Sequence, residues 1–367
     1  MGTIKRTFAN SLTGTGKLSA TNLDSNIPAA NIADASVTNV TTLPEALGQA
    51  IKSVAGSPPS QALGDIWYNS VTGTLKNYVT VAAAWASGGN LATARRALWG
   101  AGTQTAGLAF GGYIGPTISA ATEEYGGTSW ASGGSLGQPR YHLAGTGTQT
   151  AAVAFGGMFP TGTKLSNTEE YNGSSWTAGG SLGTARYVLS GGGVQTAAFA
   201  FGGSTPTPGP TNATEEYNGS SWTAGGNYPI SITGSGGCGT LTAGLGCGGS
   251  GDSSVTAEYD GSAWTASNNT LYGVNGGFAT GTQTEAILSG GSPAPVSALS
   301  QTYDGTSWTA SANLAVARYT SGGSSLSGTA ALSFGGGGGA GQTPEGNNTA
   351  TEEFTSAFNA TRTVTTS

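Results

Sequence analysis

Six copies of one short segment of small and apolar residues dominate the pattern of the chain. Each copy holds five or six such residues in an unbroken run and ends in two glycines. A continuous apolar run of this length, bounded by turn residues, predicts a strand buried on both faces. The copies are GTQTAGLAFGG from Gly102, GTQTAAVAFGG from Gly147, GVQTAAFAFGG from Gly193, GTLTAGLGCGG from Gly239, GTQTEAILSGG from Gly281 and SGTAALSFGG ending at Gly336.

A pair of aromatic residues recurs with the same period as these runs. Tryptophan recurs at intervals of 42 to 46 residues, as Trp85, Trp130, Trp176, Trp222, Trp264 and Trp308. The last five follow a tyrosine by five residues, as in EYNGSSW. An Asn-Gly or Asp-Gly step between alternating residues predicts a hairpin closed by a two-residue type I′ turn. Each repeat therefore supplies one hairpin.

A third element comes before the buried run. It consists of an arginine followed by apolar and aromatic residues, as in ATARRALWG, GQPRYHLAG, GTARYVLSG and AVARYTSGG. The three elements together give about four short strands per repeat, which is the size of one propeller blade. The sequence therefore predicts an all-β fold, a β-propeller whose closure removes exposed sheet edges.

The order of Arg, buried strand, Gly-Gly, loop, Tyr and Trp resembles the kelch motif. In its richness in Ser, Thr, Gly and Ala it is similar to kelch-like repeats in virion proteins of tailed bacteriophages, above all tail fibres of marine phages. The resemblance covers about Leu75 to Phe358, and it implies a kelch-like β-propeller in a virion protein. The fourth and fifth repeats depart from the motif because they lack the arginine, and the last, EEFTSAF, lacks the tryptophan.

The number of blades can be inferred from the numbers of buried runs and of outer hairpins. There are six buried runs but seven candidate outer hairpins if LKNYVTVAAAW and EEFTSAF are both included. We expect six blades, with a segment from one terminus completing the blade that the other terminus begins. Seven blades, one assembled from both ends, remain the alternative.

Composition narrows the function classes. Of 367 residues 65 are Gly and 8% are charged, with a net charge of −6 and basic residues scattered singly. Nucleic-acid binding requires a basic footprint, so it is not expected. No apolar stretch is long enough for membrane insertion, and the N-terminus lacks the apolar region of a signal peptide. With one histidine, and two cysteines at a spacing unlike that of metal ligands, we expect no metal, no cofactor and no catalytic residues; whether Cys238 and Cys247 are bridged stays open.

Charged residues co-vary between repeats. Repeats that keep the arginine keep a Glu pair, whereas those without it have Ala257 with Glu258 or Gln301 with Thr302. We therefore predict a bidentate Arg–Glu bridge inside each regular blade, through the first Glu, because Glu258 persists without an arginine. Acid–base chemistry or Ca²⁺ binding by the Glu pairs is the less favoured alternative. The predicted structural pairs are Arg95 with Glu123, Arg140 with Glu169, Arg186 with Glu215, and Arg318 with Glu352.

The segments after the Gly-Gly pairs vary in length and composition. In a propeller they emerge at one end of the ring, where loops on a rigid scaffold usually carry recognition. Aromatic, Met and Lys side chains in such loops are candidates for contacts with sugars or proteins. We select Tyr113, Met158, Phe159 and Lys164 as candidate binding residues.

Residues 1–74 differ in kind from the repeats. The stretch before Pro44 is polar and without helical period, and residues 1–74 together predict an extended virion-attachment arm that binds other virion proteins, with a flexible tether as the alternative. PEALGQAIKSVAG predicts a short amphipathic helix, SPPS a linker, and GDIWYNSVTGTLKNYV a hairpin that leads into the propeller at 75–367.

Together these features predict a non-enzymatic virion protein, made in the host cytoplasm, that is a tail-fibre or adhesin subunit. It would form a homo-oligomer in the particle and bind a host-surface glycan or protein through the propeller loops. The alternatives are a capsid or baseplate decoration protein that binds only virion proteins, and a glycan-active propeller enzyme. A copper radical oxidase would need several His ligands and a sialidase-like enzyme a central Arg cluster, and the sequence indicates neither.

Overall fold

Every regular element in the described part of the chain is a β-strand. The computed structural model describes residues 52–54, 57–58, 61–63, 65–207, 209–292, 296–324, 326–338 and 346–363. The strands form seven four-stranded sheets. The described residues fall into two compact units: Ala83–Ser356, and the residues up to Ala82 together with those from Ala357. Within these ranges no helix could cross a membrane.

Six of the sheets belong to Ala83–Ser356, and we number them as blades 1 to 6. Blade 1 has β5 (Trp99–Gly102), β6 (Gly107–Phe110), β7 (Thr122–Tyr125) and β8 (Trp130–Ser132); blade 2 has β9 (Ala144–Gly147), β10 (Ala152–Phe155), β11 (Thr168–Tyr171) and β12 (Trp176–Gly179). Blade 3 has β13 (Ser190–Val194), β14 (Ala197–Phe201), β15 (Thr214–Tyr217) and β16 (Trp222–Ala224); blade 4 has β17 (Gly236–Thr240), β18 (Ala243–Cys247), β19 (Thr256–Tyr259) and β20 (Trp264–Ser267). Blade 5 has β21 (Phe278–Gly281), β22 (Ala286–Ser289), β23 (Ser300–Tyr303) and β24 (Trp308–Ala310); blade 6 has β25 (Gly322–Gly323), β26 (Ala330–Phe334), β27 (Thr351–Thr355) and β4 (Ala84–Ser87).

The innermost strands close a ring. β5 contacts β9, and the contacts continue through β13, β17, β21 and β25 back to β5. All strand pairs within a blade are antiparallel. The prediction of an all-β propeller with six blades is therefore confirmed.

Blade 6 is built from both ends of the repeat region. Its outer strand β4 pairs with β27, so that Trp85 stands opposite Phe354 in the place of the usual Trp and Tyr. The two incomplete hairpins of the sequence, VAAAW and EEFTS, are thus halves of one hairpin. This accounts for six buried runs beside seven apparent hairpins.

The hydrophobic core lies between adjacent blades. Phe110 of blade 1 packs with Ala152 and Tyr171 of blade 2, and Phe155 of blade 2 packs with Ala198 and Tyr217 of blade 3. The second strand of each blade is buried on both faces, as its unbroken run of small residues predicts. Apolar contacts between the faces of adjacent blades therefore hold the blades together.

The predicted two-residue type I′ turns are wrong. Tyr171 pairs with Trp176, which leaves a four-residue loop between them. Asn172 Oδ1 accepts hydrogen bonds from the backbone N–H groups of Ser174 (3.0 Å) and Ser175 (2.9 Å). Only Gly173 takes a positive φ, of 90°. The Asn or Asp of the motif closes the loop with its side chain, whereas a type I′ turn would require it to adopt a positive φ.

The seventh sheet belongs to the smaller unit, in the order β1 (Lys52–Val54), β2 (Ile66–Asn69), β3 (Thr74–Val81) and β28 (Phe358–Thr363). β2 and β3 form the hairpin that the sequence predicts. Lys52–Val54 is a strand parallel to β2 rather than the end of a helix, because pairing along the edge of β2 satisfies its backbone. The rest of the predicted helix, residues 44–51 and 55–56, and the arm before it lie outside the described residues.

The boundary between the units differs from the one drawn at residue 75. β3 pairs with β2 on one side and with β28 on the other, so it belongs to the smaller unit. The propeller starts at Ala83 and ends at Ser356, and the residues from Ala357 return to the smaller unit. The pairing of β3 with β28 sets this boundary, and the repeat pattern does not show that pairing.

Candidate recognition face

The four arginines of the repeat are buried in ion pairs inside their own blades. Arg95 Nη2 lies 2.8 Å from Glu123 Oε1, and each pair uses the first Glu of its motif. The contact is not bidentate as predicted. Arg95 Nη1 instead donates to the carbonyls of Gly111 (2.9 Å) and Ala121 (2.8 Å), while Glu123 Oε2 accepts the N–H of Ala92 at 2.7 Å. The guanidinium therefore ties the blade's main chain together as well as binding the carboxylate.

The second Glu of the motif links neighbouring blades. Tyr171 of blade 2 donates its hydroxyl hydrogen to Glu124 Oε1 of blade 1 at 2.5 Å. Burial and this carboxylate raise the pKa of Tyr171 to about 12, so the phenol stays a neutral donor. The same bond joins Tyr125 to Glu353, Tyr217 to Glu170, Tyr259 to Glu216 and Tyr303 to Glu258.

The departures from the motif occur in matched pairs. Phe354 of blade 6 has no hydroxyl, and the preceding blade carries Thr302 instead of the second Glu. In blade 4 the buried Ile232 occupies the arginine position, and Ala257 replaces the first Glu. Each partner has changed together with the other, as expected when a lone buried charge is costly.

Tryptophan and glutamine of the repeat also connect blades. Trp176 Nε1 donates to Thr122 Oγ1 of the preceding blade at 2.9 Å, and all six Trp residues of the motif make the equivalent bond. Gln195 Nε2 donates to two carbonyls of the preceding blade, Ala152 at 3.0 Å and Tyr171 at 2.8 Å. The GTQT and SSW motifs therefore encode contacts between blades.

The variable loops lie at one end of the ring, which we call the loop face. Strands alternate in direction, so the residues before each innermost strand lie at the same end as the Gly-Gly pair after the second strand. Bridges between the residue after the repeat Arg and the residue after Gly-Gly show this directly, as for Arg96 with Tyr113, and Tyr141 with Met158. We call the opposite end, with the loops that join strands one and two, the hairpin face.

Six residues with a positive φ, the left-handed backbone conformation, form a ring around the propeller axis on the loop face. Each blade contributes the residue two places after its arginine position: Ala97 (φ 51°), His142 (52°), Val188 (52°), Gly234 (64°), Gly276 (68°) and Thr320 (48°). This conformation is unfavourable for residues other than glycine, and most of all for β-branched ones. Four of the six positions therefore carry backbone strain.

A closed circle of main-chain hydrogen bonds holds these residues, which we call the axial ring. Each N–H donates to the carbonyl of the preceding blade, beginning with His142 to Ala97 at 2.8 Å and ending with Ala97 to Thr320 at 2.8 Å. The bonds in between join Val188 to His142, Gly234 to Val188, Gly276 to Gly234 and Thr320 to Gly276, at 2.7 to 3.0 Å. The circle fixes the conformation that the individual residues disfavour.

The axial ring encloses a cavity of about 40 Å³. Two innermost strands direct large aromatic side chains to its wall, Trp99 of blade 1 and Phe278 of blade 5. Their ring centroids are 5.5 Å apart in an edge-to-face arrangement, and Trp99 Nε1 donates to the Gly145 carbonyl at 2.6 Å. The small residues Ala144, Ser190, Gly236 and Gly322 stand at this strand position in the other blades.

Aromatic and basic side chains form a continuous array around one part of the axial ring. Ring centroids are 5.9 Å apart for Tyr113 and Tyr141, 5.1 Å for Tyr141 and His142, and 6.1 Å for His142 and Tyr187. Arg96 lies over the Tyr113 ring at 4.8 Å, and Lys164 over the Tyr187 ring at 5.2 Å. We call these six residues the aromatic arc. Arg96 and Lys164 are the basic residues of Ala83–Ser356 outside the four Arg–Glu pairs.

All four candidate binding residues lie on the loop face and are partly exposed. Tyr113 and Lys164 belong to the aromatic arc. Met158 pairs with Tyr141 and with Lys164, and Phe159 is the next residue along the loop. The sequence interpretation missed Arg96, Tyr141, His142 and Tyr187, which it treated as strand residues. Their position one or two residues after the repeat arginine was the available signal.

The environment of His142 predicts a pH dependence of stability. Burial and the nearby Arg96 lower the pKa of His142 from 6.5 to about 4. In the unfolded chain the imidazole of His142 is protonated below about pH 6.5, whereas in the folded chain it stays neutral down to about pH 4. The free energy of unfolding therefore falls as the pH is lowered through this window. Val188 occupies the same position in blade 3. Between pH 7 and 5 we expect His142→Val to lose about 2 kcal/mol less stability than the wild type. Thermal midpoints of both proteins check this, and parallel pH profiles would contradict it.

Within the described ranges no three His, Cys, Asp or Glu side chains are arranged to hold a metal ion. Cys238 and Cys247 lie on neighbouring strands of blade 4, and both are buried free thiols. Burial raises the pKa of Cys238 to about 12, which keeps it protonated and unreactive. The two residues serve as small core residues of that blade.

No protein-family model and no curated protein sequence matches the chain. Its fold matches 273 chains of solved structures. One of them is the structure of YjhT, with a TM-score of 0.58 over 74% of this chain and 99% of that chain, at 12% identity. At this identity the likeness concerns the fold alone. The chain is thus similar in fold to YjhT, and the strand pairing makes it a β-propeller.

Proposed function

We propose that the chain is a non-enzymatic recognition protein, a tail-fibre or adhesin subunit of a tailed phage that binds a host-surface glycan or protein through its loop face. One observation carries the proposal. The repeated charged and aromatic side chains are engaged in contacts within and between blades, whereas the aromatic arc gathers on the loop face. Tyrosine rings with basic side chains beside them are typical of surfaces that bind sugars and proteins.

The arrangement of carboxylates favours binding over catalysis. Each Glu pair of the motif divides its two members between an arginine and a tyrosine, as Glu169 and Glu170 do. Glycoside hydrolysis needs two carboxylates that face one substrate bond. The Glu pairs are repeated around the ring as structural contacts instead. Several copies of such a chain on one particle would convert a weak single-site affinity into strong attachment.

The proposal predicts a loss of binding when the arc is truncated. We expect Tyr141→Ala combined with Tyr187→Ala to weaken binding to the host surface at least tenfold, because both rings are partly exposed and their stacking area is lost. The thermal midpoint should stay close to that of the wild type. Val194→Ala with Thr196→Ala on the hairpin face is the control. Binding of labelled protein to host cells provides the measurement.

Two outcomes would contradict parts of the proposal. Undiminished cell binding by the Tyr141 and Tyr187 double variant would remove the arc as the recognition surface. Absence of wild-type binding to host cells, with antibody labelling of the chain on the capsid or baseplate, would favour the decoration protein.

A further inference from the structure

Three asparagines of the chain are each followed by glycine: Asn172, Asn218 and Asn275. An asparagine before glycine is chemically labile, because the main-chain nitrogen of the glycine can approach the side-chain amide carbon without obstruction from a Cβ. The three steps lie in two different environments. Asn172 and Asn218 are exposed and begin the loops between the outer strands of blades 2 and 3, whereas Asn275 directly precedes Gly276 of the axial ring.

The amide oxygen of Asn172 is surrounded by hydrogen-bond donors. Its Oδ1 accepts the N–H groups of Ser174 at 3.0 Å and Ser175 at 2.9 Å, and also the hydroxyl hydrogen of Ser174 at 3.0 Å. Asn218 Oδ1 has the same three donors in its own loop, at 2.9 to 3.0 Å. Attack on the amide carbon places negative charge on this oxygen, and donors that already point at the oxygen stabilise that charge.

The attacking nitrogen is available in these two loops and is held in the third step. In the part of the chain that the structure describes, the N–H groups of Gly173 and Gly219 donate no main-chain hydrogen bond. The N–H of Gly276 instead donates to the Gly234 carbonyl at 2.8 Å, as one bond of the axial ring. Asn275 therefore has the labile sequence, but its neighbouring nitrogen is fixed by the fold.

Blades 4 and 5 show that the product of such a reaction fits the loop. Blade 4 has Asp260 at the first position of the loop, and Asp260 Oδ1 accepts the N–H groups of Ser262 and Ala263, both at 2.8 Å. Asp304 makes the corresponding bonds in blade 5. Main-chain hydrogen bonds lower the pKa of both carboxyl groups, so both are ionised at neutral pH and offer no leaving group to the glycine that follows.

We propose that Asn172 and Asn218 are sites of spontaneous deamidation, which converts them to aspartate or isoaspartate in the folded chain. The main-chain nitrogen of the next glycine forms a bond to Cγ, and the Cγ–Nδ2 bond breaks. The proton of that nitrogen leaves with Nδ2, so that ammonia is released and a cyclic imide remains. Water then adds to one of the two imide carbonyl carbons and reopens the ring. Addition at the side-chain carbon gives aspartate, and addition at the main-chain carbon gives isoaspartate.

The modified loops lie on the hairpin face. A Cβ on Gly173 would lie 3.4 Å from the Cβ of Thr150, which belongs to the loop between the first two strands of blade 2. Each conversion adds one negative charge at this face, where Asp260 and Asp304 already carry theirs. The reaction therefore alters the charge of the face opposite the aromatic arc and is independent of the proposed function.

Peptide mass mapping of the full-length chain, incubated once folded and once in denaturant, tests the inference. In the folded chain we expect Asn172 and Asn218 each to gain about one mass unit, because ammonia is lost and water is added, and to react about tenfold faster than Asn275. In denaturant the three sites should react at similar rates, because the axial ring no longer holds Gly276.

A variant within one loop tests the role of the donors. Ser174→Ala removes one donor to Asn172 Oδ1 and should slow the reaction of Asn172 about threefold. Asn218 in the same molecule is the matched control, because its loop keeps all three donors. An unchanged rate at Asn172 would contradict this role of the donors.

Two results would overturn the inference as a whole. If neither Asn172 nor Asn218 gains mass in the folded chain, although both react in denaturant, the loops protect these residues. If all three sites react equally fast in the folded chain, the Asn-Gly sequence alone determines the reaction. Should the Ser174→Ala chain fail to fold, the comparison of the three sites in the wild type still decides.

Discussion

Replacing Arg140 by Ala is expected to destabilise the propeller by about 3–5 kcal/mol, because it leaves a buried charge without its partner. Glu169 is 7% exposed and would keep its charge inside blade 2. The carbonyls of Gly156 and Asn167 would lose their donor as well. The expected result is a thermal midpoint several degrees lower, with ligand binding by the remaining folded protein unchanged.

The chain provides its own matched control for this change. Blade 4 carries Ile232 and Ala257 where blade 2 has Arg140 and Glu169. We expect Arg140→Ile combined with Glu169→Ala to recover most of the lost stability, since well-packed apolar residues often replace a buried ion pair without loss. Denaturant titrations of the wild type, the single variant and the double variant measure the difference. A double variant as unstable as Arg140→Ala, or an unchanged single variant, would contradict this account of the ion pairs.

Replacing Gly180 by Ala is expected to cost about 3 kcal/mol by forcing blades 2 and 3 apart. A Cβ at this position would lie 2.1 Å from the carbonyl oxygen of Ser220 and 3.0 Å from Cα of Ser221. Both obstacles are main chain of the next blade, so no side-chain rotation can relieve the clash. The φ of Gly180 is not positive, hence the alanine backbone itself is not strained.

Other junctions supply the control for Gly180. At the corresponding place between blades 4 and 5 stands Asn268, whose Nδ2 donates to the Thr306 carbonyl at 2.7 Å. Between blades 5 and 6 the chain has Ala312. Those junctions therefore accommodate a Cβ, and we expect Ala312→Gly to change stability by less than about 1 kcal/mol. A Gly180→Ala protein with the wild-type unfolding midpoint would show that the blades are not closely packed there.

The fold was predictable from the sequence because each repeat makes the same contacts with its neighbouring repeats. The unbroken apolar run, the Tyr and Trp of the hairpin, and the joint loss of Arg and Glu all report contacts that recur around the ring. The loop closed by Asn172 was predicted wrongly because Asn-Gly fits both a two-residue turn and a loop capped by the Asn side chain.

The candidate site was only partly predictable. Tyr113 and Lys164 stood out as aromatic and basic residues in variable loops. No residue type in the sequence indicates the axial ring. Ala97 and Val188 do not favour a positive φ, and main-chain hydrogen bonds from other blades hold them in it. Trp99 and Phe278 meet across non-adjacent blades, which no periodicity within one repeat can reveal.

The central claim is that the repeats hold the ring together and the loop face makes contact with the target. Hydroxyl-radical footprinting of the chain, alone and bound to host cells, tests it most directly. The account predicts protection of Tyr113, Tyr141, Met158 and Tyr187 on the loop face, with Val194 and Leu241 on the hairpin face labelled equally in both states. Protection confined to the hairpin face would contradict it.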